Sequence, residues 1–354
     1  MRYAELTDDV EVQWDFRSLQ EFADAPLEKL TAEYDLLVID HPHIPLAAHE
    51  GLLAQLDGVG FDDQLSTLAR QTVGSSHESY AFGGHQYGLA SDAAAQVAVY
   101  RPDLIEEPPR DWPAVMELAR ERRVLWPAKP IDAFSSLMTL AAGAGTPPAT
   151  SAGVFLEEAQ MMPVLDRMHE LAAHVPKANL SQNPIQIAES LSTSDQWVYS
   201  PLGFGYTNYA RPGFRPGRLK YTDIPANTKG VSGALLGGAG IAVSATARDI
   251  NAARAFAFWV ASAEVQRGVY YEAGGQPGNA VAWEDEHMNA DSWDFFTGTR
   301  ATLEGAYVRP RYAGYVEFQD RTSPWVTQVL RGEIRDLDLI QQMNDAAAEL
   351  LRGD

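Results

Sequence analysis

Cysteine is absent from the 354 residues. That excludes disulfides, thiolate metal sites, a cysteine nucleophile and a lipid-bearing cysteine on the chain as given. It leaves the redox compartment open, because a cysteine-free protein suits either. No run of about 18 apolar residues occurs, so no segment reads as membrane-spanning. The opening stretch, MRYAELTDDVEVQW, lacks a basic region followed by an apolar run, so no signal peptide is visible. Two expectations follow: a cytoplasmic protein, or a native N-terminus that lies upstream. Basic residues are also scarce. Lys and Arg total 27 against 48 Asp and Glu, a formal net charge of −21. Phosphate contacts need clustered Lys and Arg, so neither a nucleic acid nor an anionic membrane surface is an expected partner. The acidity itself names no ligand; solubility or a saline habitat accounts for it.

Enzyme signatures are equally thin. There is no Walker lysine motif and no G-x-S-x-G elbow. The glycines of Gly237-Gly-Ala-Gly240 partly mimic a dinucleotide loop, but they precede a strand rather than a helix, so no helix N-terminus meets a phosphate. Ser75-Ser76-His77-Glu78 places triad residue types side by side in sequence, which is not how triads assemble. With 48 acids many carboxylate pairs are conceivable, and sequence supplies no distances between them. No internal repeat, low-complexity tract or heptad run is present.

What is present is an alternation of strand-like and helix-like pieces in a chain long enough for two lobes. Residues 10–14 (VEVQW) read as a strand, 19–30 as a short helix and 34–40 (YDLLVID) as a strand buried on both faces. Pro42 ends that strand. This β-α-β order predicts a doubly wound α/β lobe. Residues 88–99 lead into a further strand ending at Tyr100-Arg101, and EEPPRDWP (106–113) is a polar, proline-rich break suited to a lobe boundary. Helices are expected over 112–122, 132–142, 155–173 and 183–192, the last opened by Asn183-Pro184. GALLGGAGIAVS (233–244) reads as a glycine-rich strand. A helix over 249–268, capped by Asp249, presents Ala252, Phe256, Trp259, Val260 and Ala263 to a core. A C-terminal helix over 336–351 keeps Leu339, Ile340, Met343 and Ala347 on one face.

Several of these stretches, in order, resemble the extracellular solute-binding proteins (family 1, carbohydrate-type) of ABC importers. They are YDLLVID (34–40) with LAQLD (53–57), YGLASD (87–92) with VYRPDL (99–104), and GGAGIAVS (237–244) followed by residues 252–263 and GGQP (274–277). The resemblance implies a class II periplasmic-binding-protein-like α/β fold, each lobe a mixed sheet flanked by helices. Lobe 1 would be residues 1–100 plus 238–283 and lobe 2 residues 101–237 plus 284–354, with crossings near Tyr100, Gly237 and Trp283 as the hinge. It further implies a small polar solute (a sugar, polyol or organic acid) held in the interlobe cleft, a membrane permease as partner, a monomer, an extracytoplasmic location, no cofactor and no catalysis. The alternative is a cytoplasmic enzyme or sensor that reuses the fold. In the family a first strand precedes the first helix; here only a helix tail at residues 3–6 stands in that place, so the first strand of lobe 1 is expected to be missing.

Open α/β sheets bind ligands at the carboxyl ends of their strands, which points to the same loops. Asp40, His41 and His43 follow the strand over 34–40 and suit ligand hydrogen bonds, a turn or, least of all, a metal. His85, Gln86 and Asp92 belong to a glycine-bearing loop that either binds or simply turns, while Gln96 fits buried structure as well. Tyr199, Phe204, Tyr206 and Tyr209 lie in a stretch made irregular by Pro and Gly, where rings serve as stacking platforms. The motifs of the resemblance bring in Gly238 and Gln276. Arg311, with Arg309, either clamps a carboxylate or pairs with acidic neighbours. Asp132 either points into the cleft or, preferably, caps a helix.

Overall fold

Leu36–Ile39 forms the first strand, β1, of a computed structural model that describes residues 3–7, 9–16, 26–149, 154–227 and 230–352. Eight more strands follow among the described residues: β2 (Ala81–Phe82), β3 (His85–Gln86), β4 (Gly88–Ala90), β5 (Ala94–Tyr100), β6 (Tyr199–Phe204), β7 (Lys220–Thr222), β8 (Leu236–Gly237) and β9 (Gly240–Val243). The chain divides into two compact units. Unit 1 comprises Met1–Ala93 and Gly238–Asp285; unit 2 comprises Ala94–Gly237 and Glu286–Asp354. The first crossing falls at Ala93/Ala94 rather than after Tyr100, because β5 pairs with β6, β7 and β8 of unit 2. The proline-rich stretch 106–113, expected at a boundary, lies inside unit 2.

Unit 1 has a three-stranded sheet in the order β1-β9-β4. The central strand β9 runs antiparallel to both neighbours, so β1 and β4 are parallel to each other. Alternation along β1 buries Leu37 and Ile39 against Leu27, Ile44 and Tyr80. On β9 and β4, Ile241, Val243 and Leu89 pack with Phe256 and Ala257 from the helix Ile250–Ala261. Burying a ring such as Phe256 contributes about 2–3 kcal/mol. Asp249 caps that helix by accepting the Ala252 N–H at 3.0 Å, as its position before an apolar stripe predicts. The helix stops at Ala261 instead of running to 268. Ser262 has extended backbone (ψ 148°), and a wide turn over Gln266–Tyr270 follows, kinked at Gly268. Its core face is Ala253, Phe256, Ala257, Val260 and Ala261, whereas Ala252 and Trp259 are only half-buried. Residues 10–14 form no strand. Of the helix expected over 19–30, residues 19–25 lie outside the described residues; the helix observed is Leu27–Glu33.

Unit 2 is built on β5, which has β6 on one side and β7 and β8 pairing on the other. β6 is a strand despite Pro201 and Gly203, so the irregular stretch expected over 197–209 is found only after Phe204, where a loop leads into the 3-10 helix Thr207–Ala210. The ladder accommodates Pro201 with a bulge: between Val97↔Gly203 and Val99↔Ser200 the β6 side carries one extra residue. A proline brings no N–H to a ladder, and a bulge is where that deficit does least harm. The helix Pro130–Gly143 is apolar nearly all round and accordingly buried nearly all round, packed against Tyr315–Leu330. Asn183 and Gln186 form a reciprocal capping box on Pro184–Thr193. In Asp336–Leu350 the face of Leu339, Ile340, Met343 and Ala347 is buried, as its spacing predicts.

Candidate functional site

Gly240 organises the unit 1 site. It lies opposite Ile39 of β1 on one side and Ala90 of β4 on the other. Asp40, the residue after Ile39, and Asp92, two residues after Ala90, flank it at the carboxyl ends of two parallel strands, close enough for the charge of one to act on the other. Only glycine fits there, because a Cβ would collide with the Tyr80 ring. Asp40 turns the chain into a short 3-10 helix, His41–His43, by accepting the His41 N–H at 2.8 Å. His41 is buried against Tyr80 (ring centroids 6.2 Å apart), whereas His43 is half-buried and faces a groove beside β1. Among the described residues no group of His, Asp and Glu side chains is arranged to hold a metal ion.

Asp92 is held by its backbone. Its N–H and that of Ser91 both donate to the Ala239 carbonyl, at 2.9 and 3.0 Å. Gly238 makes this approach possible: its φ is +107° and an added Cβ would lie 2.5 Å from the Asp92 carbonyl oxygen. Burial, reinforced by the charge of Asp40, pushes the Asp92 carboxyl up to about 7. Tyr270 sits in the same cluster. Burial raises its hydroxyl pKa and the Asp92 charge adds to the effect, while a hydrogen bond with Ser91 opposes it. The loop after Tyr270 brings in Gln276, whose amide donates to the Ala93 carbonyl at 3.3 Å.

The hairpin that leads into β4 is built on left-handed Gly83 and Gly84 between β2 and β3. Asp57 fastens it, with one carboxylate oxygen 2.8 Å from His85 Nδ1 and the other accepting the Gln86 N–H at 2.7 Å. Burial works against the Asp57 charge, but those bonds prevail and hold its pKa below the usual range. His85 is 45 % exposed. Gln86 is different: both N–H groups of its buried amide are spent on the carbonyls of His77 and Gly88. It serves the turn, one of the two roles that its glycine-bearing surroundings allow.

In unit 2 the aromatic stretch separates into two kinds of residue. Tyr199 is completely buried, and Tyr209 is 5 % exposed with its hydroxyl on Glu189 at 2.6 Å and Arg215 over its ring. Both are core rings, closed to a solute by burial. Phe204 and Tyr206 are half-buried, with the Phe204 ring lying against the backbone of Gly237. Gln96 is fully buried in a network, accepting from Thr139 at 2.7 Å and donating to Ser136, which also receives the Trp126 indole N–H. Arg309 is buried and donates to the Leu236 carbonyl and to Gln319, while Arg311 is half-buried. Asp132 does not cap. It occupies the third helical position, Lys129 is the cap residue and no side chain caps the end. Its carboxyl is buried, one oxygen has no hydrogen-bond partner, and burial raises its pKa to about 7 against the opposing charge of Lys129.

Two residues of the unit 1 site escaped the sequence reading. Tyr270 had one legible signal, the paired glycines after it, since a Cβ on Gly275 would meet its ring. Gln266 had none. Fully buried, it donates to the Ser91 and Val260 carbonyls and accepts from the N–H groups of Gly278 and Asn279, pinning the Gln276 loop over the end of β4.

These features agree with known proteins at two levels. The fold is that of the two-lobe periplasmic binding proteins. Maltose-bound MalE3 of T. maritima matches with a TM-score of 0.78 and 17% identity, over 94% of this chain and 87% of that one. The GacH receptor of Streptomyces glaucescens, solved unliganded and with acarbose, matches at 0.80 and 16%, over 98% and 92%. A ribitol complex of an ABC transporter solute-binding protein from Agrobacterium radiobacter K84 matches at 0.77 and 19%, over 92% and 88%. The chain belongs to the bacterial extracellular solute-binding protein family, whose profile matches residues 2–294. Comparison with curated protein sequences returns no match.

Proposed function

We propose that this chain is the substrate-binding component of an ABC-type importer and takes a small sugar or polyol. The observation that carries the reading is the pair of carboxyl groups, Asp40 and Asp92, set on either side of Gly240 at the carboxyl ends of β1 and β4. Such groups accept hydrogen bonds from hydroxyls, and the family match and the maltose, acarbose and ribitol complexes of its structural relatives support that ligand class. In this reading Asp40, Asp92 and Gln276 of unit 1 meet the solute from one side. Phe204, Tyr206 and Arg311 of unit 2 meet it from the other, the rings stacking on C–H faces. The units close by bending at the three chain crossings, as a monomer, and deliver the solute outside the cytoplasm to a membrane permease. No residue is assigned a catalytic role.

Calorimetry and thermal-shift assays against maltose, ribitol, mannitol and related polyols test this directly. A bound solute at about 100 times its Kd stabilises the folded chain by about 2.7 kcal/mol. A panel that leaves the melting temperature unmoved and releases no heat overturns the proposal.

A further inference from the structure

Acidic residues are missing from one stretch of unit 2. Between Asp195 and Asp223 there is no Asp or Glu, and Arg211, Arg215, Arg218 and Lys220 all fall there. On a chain of net charge −21 this is a local reversal of sign. The stretch includes a loop, RPGFRPGR (211–218), whose backbone is fixed at three points. The Arg211, Gly217 and Leu219 N–H groups donate to the carbonyls of Asn208, Ser192 and Tyr209, at 3.1, 2.8 and 3.0 Å. The proline ring fixes φ at Pro212 and Pro216, and Gly213 supplies a left-handed corner at φ +76°. The loop is therefore stiff, and a stiff loop loses little entropy when it binds.

This loop carries an aromatic ring that the fold leaves uncovered. Phe214 is 39% exposed, although it is large and apolar. It is also held in place. Tyr209 meets it edge-on with centroids 5.1 Å apart, and the Arg215 guanidinium lies 4.4 Å from its ring. Glu189 grips that guanidinium through three bonds of 2.6, 2.8 and 2.9 Å. Arg218 reaches a second ring: its guanidinium lies 4.6 Å from that of Trp293 and donates to the Ala210 and Asp291 carbonyls at 2.6 and 2.9 Å. Those acceptors are neutral, and no carboxylate among the described residues is paired with it. Lys220 is 5.8 Å from the same Trp293 ring, with Asp294 at 3.4 Å from its ammonium. Trp293 and Asp294 both hold left-handed backbone, φ +53° and +63°, between the helices Glu286–Asp291 and Phe295–Glu304. For a residue as bulky as Trp that conformation is strained, and such strain gathers where a surface is used.

We propose that this face of unit 2 docks a partner polypeptide whose contact segment sets carboxylates beside an apolar side chain. Phe214 would meet the apolar group, and Arg218 and Lys220 would meet the carboxylates. Aromatic and arginine side chains are the groups that dominate such contacts. Two other occupants fit less well. A second copy brings another charge of −21, and like charges oppose that approach. An anionic bilayer sets a plane of negative charge against the whole chain, whereas a polypeptide can offer a few carboxylates to this face alone. None of Phe214, Arg218, Lys220 and Trp293 is assigned to the solute, so the surface stands whether or not the chain binds sugar.

The test uses the full chain and a fluorescent peptide with a Leu-Trp-Leu core and glutamates at both ends, beside the same core flanked by glutamines. The expected result is saturable binding of the glutamate peptide and about tenfold or more weaker binding of the glutamine peptide. Phe214→Ala and Arg218→Gln should each weaken the glutamate peptide about tenfold. Phe214→Ala, at the surface, should leave melting nearly unchanged, so its loss of affinity is not a loss of fold. No binding up to about 1 mM, equal binding of both peptides, or full affinity in either variant overturns the proposal. So does binding of the parent, but not of Phe214→Ala, to phosphatidylglycerol vesicles, since the face would then serve a membrane. Concentration-dependent dimerisation that Phe214→Ala abolishes overturns it too, since the occupant would then be a second copy.

Discussion

Asp92 and Asp132 are carboxyls that burial holds near pH 7. The sign of the resulting linkage follows from the direction of the shift. Both groups hold their protons more tightly folded than unfolded, so stability is greatest below the ordinary carboxylate range and falls as pH rises towards 7. Asp92→Asn should flatten that fall and exceed the parent in stability at pH 8 by on the order of 2 kcal/mol. Urea titrations at pH 5 and pH 8 measure it; equal pH slopes for parent and variant would refute it. Gly238→Ala should cost about 2 kcal/mol or more, because it adds strain at φ +107° to a clash with the Asp92 carbonyl. The aromatic pair separates binding from packing. Tyr209→Ala should destabilise by about 3–5 kcal/mol through its cavity. Tyr206→Ala should leave melting nearly unchanged and weaken solute binding about tenfold; unaltered affinity would remove Tyr206 from the site. Sequence could nominate all four rings but could not sort them, because burial of Tyr199 and Tyr209 depends on neighbours such as Pro109 and Glu189 that lie far along the chain.

Gln266 shows the same dependence for a whole loop. Its side chain joins the end of β4 to residues 278–279, so Gln266→Leu should strand several buried polar groups at a cost of about 2–4 kcal/mol. Amide exchange should accelerate first at Gly278 and Asn279; uniform loss of protection across unit 1 would contradict so local a role. Elements with strong local patterns were legible. LLVI between Asp35 and Asp40 gave β1, Asp249 gave a helix start, and Asn183-Pro184 gave another. Elements decided by partners were not. β6 contains the residues of a loop yet forms a strand, because β5 offers it a ladder and a bulge absorbs Pro201. VEVQW has the alternation of a strand and forms none. The Asp40 and Asp92 pairing was half legible: each was singled out, but only the register through Gly240 brings them together.

The net charge of −21 acts on the molecule as a unit. Acids that repel one another oppose compaction, and salt screens that repulsion. Raising NaCl from about 10 mM to about 0.5 M, where the Debye length shrinks from roughly 30 Å to a few ångström, should raise the melting temperature. Each kcal/mol of repulsion relieved is worth about 2–4 °C; a fall on adding salt would contradict this. The interleaved course of the chain also sets an order of events at the ribosome. β1 and β4 emerge early, but β9, which must lie between them, is encoded about 150 residues after Ala90. At 5–20 residues per second β4 waits roughly 8–30 s, and β1 roughly 10–40 s, for their common neighbour. Through that interval LLVI lacks its β9 partner, and nascent chains stalled before Gly240 should be cut there by protease and held there by chaperones.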